Sequence, residues 1–182
     1  LGGLVGSITK EGCQQWLDRA FDLVCDNPKG VPCVKLHGFG VTSYRAMIKY
    51  PWWSVDSTTW IQQGAFGRIN VPHLRGGQFI FDEDPYSIPV SFESVAMEKK
   101  DHYLTMPKAS QEVVNRWLER IGVPLGKLKA GTKDEIEEFG VVTRHSERKA
   151  ANILFFEEMR KSLPEWPWPF KGGRGKGFGL IK

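Results

Sequence analysis

The chain has 182 residues, 41% hydrophobic and 25% charged, with a formal net charge of +4, an ordinary composition for a soluble globular domain with a real core. No apolar run approaches the roughly 20 residues of a membrane helix. The opening Leu1-Gly-Gly-Leu-Val-Gly6 has neither the basic segment nor the cleavage pattern of a signal peptide. It also lacks an initiator Met, so a preceding segment is expected to be missing. Cys13, Cys25 and Cys33 are odd in number and form no CxxC pair, which argues against a disulfide framework and a cysteine zinc site. Buried, reduced thiols in a cytosolic protein are expected, Cys13 on the apolar side of a helix and Cys33 in an apolar strand. The excess charge lies in the tail, where Lys171, Arg174, Lys176 and Lys182 occur without an acid. Such a Gly-rich basic tail suits a phosphate backbone, and equally a disordered, solubilising end.

In chain order, Leu1-Gly-Gly-Leu-Val-Gly6 reads as a strand end running into a glycine turn. Thr9 can cap a helix over roughly 10–26, where Trp16, Leu17, Ala20, Phe21 and Val24 share helical spacing. Asn27-Pro28-Lys29-Gly30 stops it. Val31–Leu36 reads as an apolar strand ending in His37-Gly38-Phe39-Gly40. Thr42 or Ser43 caps a short helix through Tyr50, and Trp52–Asp56 reads as another strand. This alternation implies parallel strands with crossover helices, an α/β arrangement whose ligand edge is the carboxyl ends of the strands. Further on, 67–71, 78–81 and 88–92 read as short strands, the last an edge strand because of Pro89. Ser110 is expected to cap a helix over 111–121. Residues 134–138 read as an acidic helix start, and roughly 144–162 as a long helix with Ala151, Leu154, Phe155 and Met159 inward. Arg144, Arg148, Lys149, Arg160 and Lys161 would then form a solvated or nucleic-acid-facing surface. Trp166–Phe170 reads as an extended aromatic linker.

Three glycine-rich or polar strand ends follow one another: Gly2-Gly3, His37–Gly40 and Asp56-Ser57-Thr58. Asp56 is either a reactive carboxylate or a cap for the turn after its strand. Gly2 and Gly3 either allow a flat ligand close to the backbone or form a tight turn. His37 points into the expected pocket without a visible acid partner. His73, His102 and His145 are scattered and expected at the surface. Trp52, Trp53 and Trp60 either stack on bases or, by default, pack inside.

In Leu1-Gly-Gly-Leu-Val-Gly6, Lys35-Leu-His-Gly-Phe-Gly40, Ser54-Val-Asp-Ser57 and Gly67-Arg68, in that order, the first seventy or so residues resemble the tRNA-guanine transglycosylases. That family includes queuine and archaeosine tRNA-ribosyltransferases and DNA-modifying, phage-type relatives. The resemblance implies the last part of a TIM (β/α)8 barrel over 1–92, comprising strands six to eight and an inserted hairpin. A helical extension over 93–163 and the linker and tail 164–182 would follow. It implies exchange of guanine for a 7-deazaguanine in nucleic acid, with Asp56 as the nucleophile toward C1′ of a flipped or single-stranded nucleotide. Gly2, Gly3, Leu4, His37, Gly38, Ser57 and Arg68 would bind substrate, with Ser57 and Thr58 holding the carboxylate and Arg68 a phosphate or a structural salt bridge.

The family's cysteine-rich zinc motif is not found after Gly67-Arg68, which implies no zinc or other cofactor and leans toward DNA rather than tRNA as partner. The expected place is the cytoplasm of a bacterial, archaeal or phage-infected cell. Three strands cannot close a barrel of eight, and the family's general base lies on earlier strands, so a further segment or chain is expected to supply them. Two rivals stand: a non-catalytic accessory or nucleic-acid-binding subunit, and a different TIM-barrel enzyme of sugar or phosphate chemistry.

Overall fold

The computed structural model of the protein describes residues 10–94, 101–132 and 134–170. They form two compact units, one from the described parts of Leu1–Ser57 and Pro164–Lys182, the other from those of Thr58–Leu163. The division expected at 92/93 falls inside the second unit, because strands from before it pack on helices from after it.

The first unit opens with α1 (Lys10–Val24). Its inward face is Leu17 and Phe21, while Trp16 lies on the outer side. The strand expected over Val31–Leu36 does not form. Pro32 has no N–H for a ladder, and Cys33 N–H returns to the end of α1 at Val24 O (2.9 Å). Cys33 is therefore exposed, not buried, and pairing starts only at β1 (His37–Gly38). Ser43 caps α2 (Tyr44–Lys49), its Oγ accepting from Ala46 N at 3.3 Å. Pro51 follows, which pushes Tyr50 into extended backbone and ends the helix. Then β2 (Ser54–Val55) runs parallel to β1, His37 opposite Ser54 and Gly38 opposite Val55. This is the relation expected of strands on either side of a crossover helix.

The core of this unit is aromatic. Phe21 stacks on Tyr50 (4.9 Å) and meets Trp52 edge-on (4.7 Å). Phe170 completes the cluster against Tyr50 (5.4 Å), and its N–H donates to Gly30 O. Trp166 donates to Pro51 O at 3.1 Å. The segment expected to be a linker is thus docked against the core, with the Trp166 and Phe170 rings half-buried on it. Tyr50 O–H and Lys49 both bind Asp18 Oδ1, at 2.8 and 2.5 Å.

The second unit contains α3 (Thr59–Ala65), β3 (Arg68–Val71), β4 (His73–Arg75), β5 (Gln78–Ile80), β6 (Tyr86–Pro89), a 3-10 turn (Phe92–Ser94), α4 (Lys108–Ile121), β7 (Lys127–Leu128), β8 (Ile136–Glu138) and α5 (His145–Ser162). β3 pairs antiparallel with β6, and β4 with β5. Gly76 and Gly77, both at positive φ, make the two-residue turn of the β4–β5 hairpin. α5 packs on α3 and β3, with Ala151, Phe155 and Met159 buried as the periodicity requires. Trp117 of α4 joins Phe79, Phe81 and Phe155 in the core.

Several local expectations fail here for identifiable reasons. α4 begins at Lys108, with Pro107 rather than Ser110 in the cap position. The acidic stretch is a strand, β8, not a helix start. Lys127 and Lys129 pair with Glu137 and Glu135 across it, which favours the β7–β8 ladder. Arg148 is buried, not on a solvated face, because it donates to the carbonyls of Gly64 and Val141, each at 2.9 Å. Burial lowers its pKa from the ordinary arginine value. His102 is buried, not superficial: Leu104 N–H donates to its Nδ1, so Nε2 carries the hydrogen it gives to Ser91 O. Among the described residues, no helix is long and apolar enough to cross a membrane.

Candidate active site at the ends of β1 and β2

Because β1 and β2 are parallel and adjacent, their carboxyl ends bring His37–Gly40 beside Asp56. Asp56 N–H extends the pairing to Gly38 O at 3.1 Å. The chain then turns at Gly40 (φ +66°), which aims its N–H at the Asp56 carboxylate, 2.5 Å to Oδ1. One oxygen is thereby anchored. The other, Oδ2, lies 3.8 Å from His37 Nε2. His37 Nδ1 is 2.9 Å from Ser54 Oγ, its direct partner across the ladder. When that hydroxyl donates to Nδ1, the Nε2 hydrogen faces the carboxylate. Both side chains are about half exposed, 49% for His37 and 50% for Asp56, so a solute can reach them.

Gly38 is enclosed rather than open. A Cβ there would lie 2.7 Å from Val41 Cγ2 and 3.1 Å from the Trp52 ring. It holds the strand end against the core instead of making room for a ligand. Trp52 is buried, as expected of a strand tryptophan, whereas Trp53 is exposed. Asp56 is not the cap of the helix that follows: α3 starts at Thr59, and Thr58 occupies the cap position without a side-chain bond. The Gly40 amide is a donor to the Asp56 carboxylate.

Ser54 and Gly40 are the positions that reading the sequence missed, and Asp56 is the acid partner that His37 was thought to lack. Spacing could have found Ser54, since residues two apart on a strand share a face and Asp56 is two beyond it. Arg68, in the second unit, donates through Nε to Ser87 Oγ (3.0 Å) and through Nη2 to Ser87 O (2.7 Å). It also lines a cleft of about 950 Å³ bounded by β3, β6 and α4. Gly2, Gly3 and Leu4 lie outside the described residues, as does the basic tail. Among the described residues, no group of three or more His, Cys, Asp or Glu is arranged to hold a metal ion.

No protein-family model, curated protein or solved structure matches the chain. What the site can do therefore rests on its own chemistry: a carboxylate with one oxygen fixed and one presented to solvent, beside an imidazole oriented by a hydroxyl. That is the equipment of a nucleophile with a neighbouring proton carrier.

Proposed function

We propose that the chain is a base-exchange transglycosylase that replaces guanine with a 7-deazaguanine derivative in nucleic acid, DNA in preference to tRNA. The observation that carries this reading is the Asp56 carboxylate, fixed through Oδ1 by the Gly40 amide and reachable at Oδ2. In the proposed reaction Oδ2 bonds to C1′ of the target nucleotide. The glycosidic bond breaks with its electron pair going to the departing guanine, which takes up a proton. The incoming base then attacks C1′, releases the corresponding proton and frees the carboxylate, so the configuration at C1′ is retained. His37 sits where it can hold the charged carboxylate and meet the base. Arg68 is proposed to bind a phosphate.

The reading carries with it the last part of a (β/α)8 barrel, with another segment or chain supplying the earlier strands and the remaining acid–base group. Action on DNA in preference to tRNA accords with the lack of the family's cysteine motif after Gly67-Arg68. The test is incubation of the full-length protein, with the segment or chain that supplies the earlier strands, and of its Asp56→Asn variant with isotope-labelled 7-deazaguanine and either DNA or tRNA, read by mass spectrometry. Incorporation by the wild type and none by the variant is expected. No incorporation into either nucleic acid by the wild type sinks the proposal and leaves the accessory-subunit alternative.

A further inference from the structure

The hydrogen bond from Cys33 N–H to Val24 O (2.9 Å) turns the chain back on the end of α1 and sets Cys33 beside Cys25. Standard bond lengths on either side of that contact hold the two Cα atoms within about 7 Å of each other. Disulfides span Cα separations of roughly 4.4–6.8 Å. The reversal is held from inside. Asn27 O accepts from Gly30 N–H (2.9 Å), its Oδ1 accepts from Lys29 N–H (3.2 Å), and its Nδ2 donates to Val31 O (2.6 Å). Gly30 turns at φ +63°, and Pro32 restricts the backbone just before Cys33. The thiols also sense each other through space: after burial, the charge of Cys33 is the largest cause that pushes Cys25 up. They differ in access, Cys33 being exposed and Cys25 buried. Cys13 lies on α1 about 18 Å along the helix axis from Cys25, so it does not compete for that partner.

We propose that Cys25 and Cys33 are a redox pair, an exposed thiol that meets the oxidant and a buried one that resolves it, closing the loop between them with a reversible disulfide. The oxidant is a small disulfide of the glutathione class. The Cys33 thiolate attacks one of its sulfurs, forming a mixed disulfide and expelling one glutathione thiolate. The Cys25 thiolate then attacks the Cys33 sulfur and expels the second. Two protein thiols are oxidised, one glutathione disulfide is reduced to two glutathiones, and the two protons pass from the cysteines to the glutathiones. Because only a thiolate attacks, a Cys25 thiol raised to about 11 makes the second step slow at neutral pH and about tenfold faster per pH unit above it. The same loop presents Gly30 O to Phe170 N–H, so the bond fastens the receiver of the C-terminal aromatic segment. The inference is independent of the base-exchange reading and involves neither His37 nor Asp56.

The test incubates the full chain with oxidised glutathione at about pH 8.5 until its mass no longer changes, quenches with acid and maps the cysteines by mass spectrometry. The expected end product is a Cys25–Cys33 cross-linked peptide, preceded by glutathione on Cys33 and reversed by dithiothreitol. Cys25→Ser should stop at the mixed disulfide on Cys33. The oxidised wild type should unfold at a higher urea concentration than the reduced protein, since a bond that fits the native loop restricts only the unfolded chain. Circular dichroism establishes that Cys25→Ser is folded; should it not fold, the wild-type map and the urea curves decide. Glutathione persisting on Cys33 of the wild type overturns the proposal. So does a disulfide that uses Cys13 or a second copy of the chain, or an oxidised form less stable than the reduced one.

Discussion

His37 Nε2 lies 3.8 Å from Asp56 Oδ2, across two strands paired over only two residues each. The contact depends on loop geometry more than on sheet. The Gly40 amide draws the carboxylate in from one side, and Ser54 steadies the imidazole from the other. If the pair acts in base exchange, His37→Gln should slow turnover by about 10²-fold or more, the usual worth of a positioned acid–base group. Ser54→Ala should cost less, since it removes only the orienting contact. Single-turnover exchange rates measure both, and an unchanged rate in His37→Gln would exclude the histidine from the chemistry.

Gly38→Ala should be destabilising by about 1–3 kcal/mol, because the added methyl meets Val41 Cγ2 at 2.7 Å and the Trp52 ring at 3.1 Å. Urea unfolding reads the loss. Val41→Ala combined with Gly38→Ala should recover part of it; a double variant no better than the sum of the two would place the strain elsewhere.

In the second unit Asn152 accepts from Asn70 N–H and donates to the carbonyls of Trp60 and Arg68. Its replacement by Ala leaves these backbone groups without their partner, at about 2–4 kcal/mol. Asn152→Leu fills the volume but satisfies none of them, so it should be no more stable than Asn152→Ala. Thermal unfolding of the two variants decides between packing and polar satisfaction.

Burial raises the Cys25 thiol to about 11, with Cys33 and Asp22 adding to the effect. Tyr50 is raised too, by burial and by its bond to Asp18. In both, the folded state binds the proton more tightly than the unfolded chain. Their stabilisation is therefore complete below the unfolded values and is lost as pH rises through the folded ones. Stability should decline from about pH 9 to 11, less steeply in Cys25→Ala. Thiol labelling at pH 8 should modify exposed Cys33 quickly and Cys25 only on unfolding.

The helices were legible because their signal is local. Leu17 and Phe21, Val114 and Trp117, and Ala151, Phe155 and Met159 recur at helical spacing and are buried together. The failures involve partners far away in sequence. Nothing near Arg148 announces the carbonyl of Gly64, and nothing near His102 announces that of Ser91. Glu135–Glu138 looks like a helix start until Lys127 of β7 and the nearby Lys129 are set against it. Of the site, Asp56 and His37 could be read as strand-end polar residues. Their contact could not, since it requires the strand expected over Val31–Leu36 to begin six residues later, at His37. Gly40 as carboxylate donor was equally hidden, because a backbone N–H leaves no mark on residue identity.

The docking of Phe170 against Phe21 and Tyr50 sets an order on synthesis. A ribosome emits α1, α2 and both strands of the site early, yet the ring that completes their core is translated more than a hundred residues later than Tyr50. The intervening second unit has emerged by then and can fold as a block. The candidate active site is thus among the first segments made and among the last to be sealed, and a chain cut before residue 170 would carry Asp56 on an unfinished support.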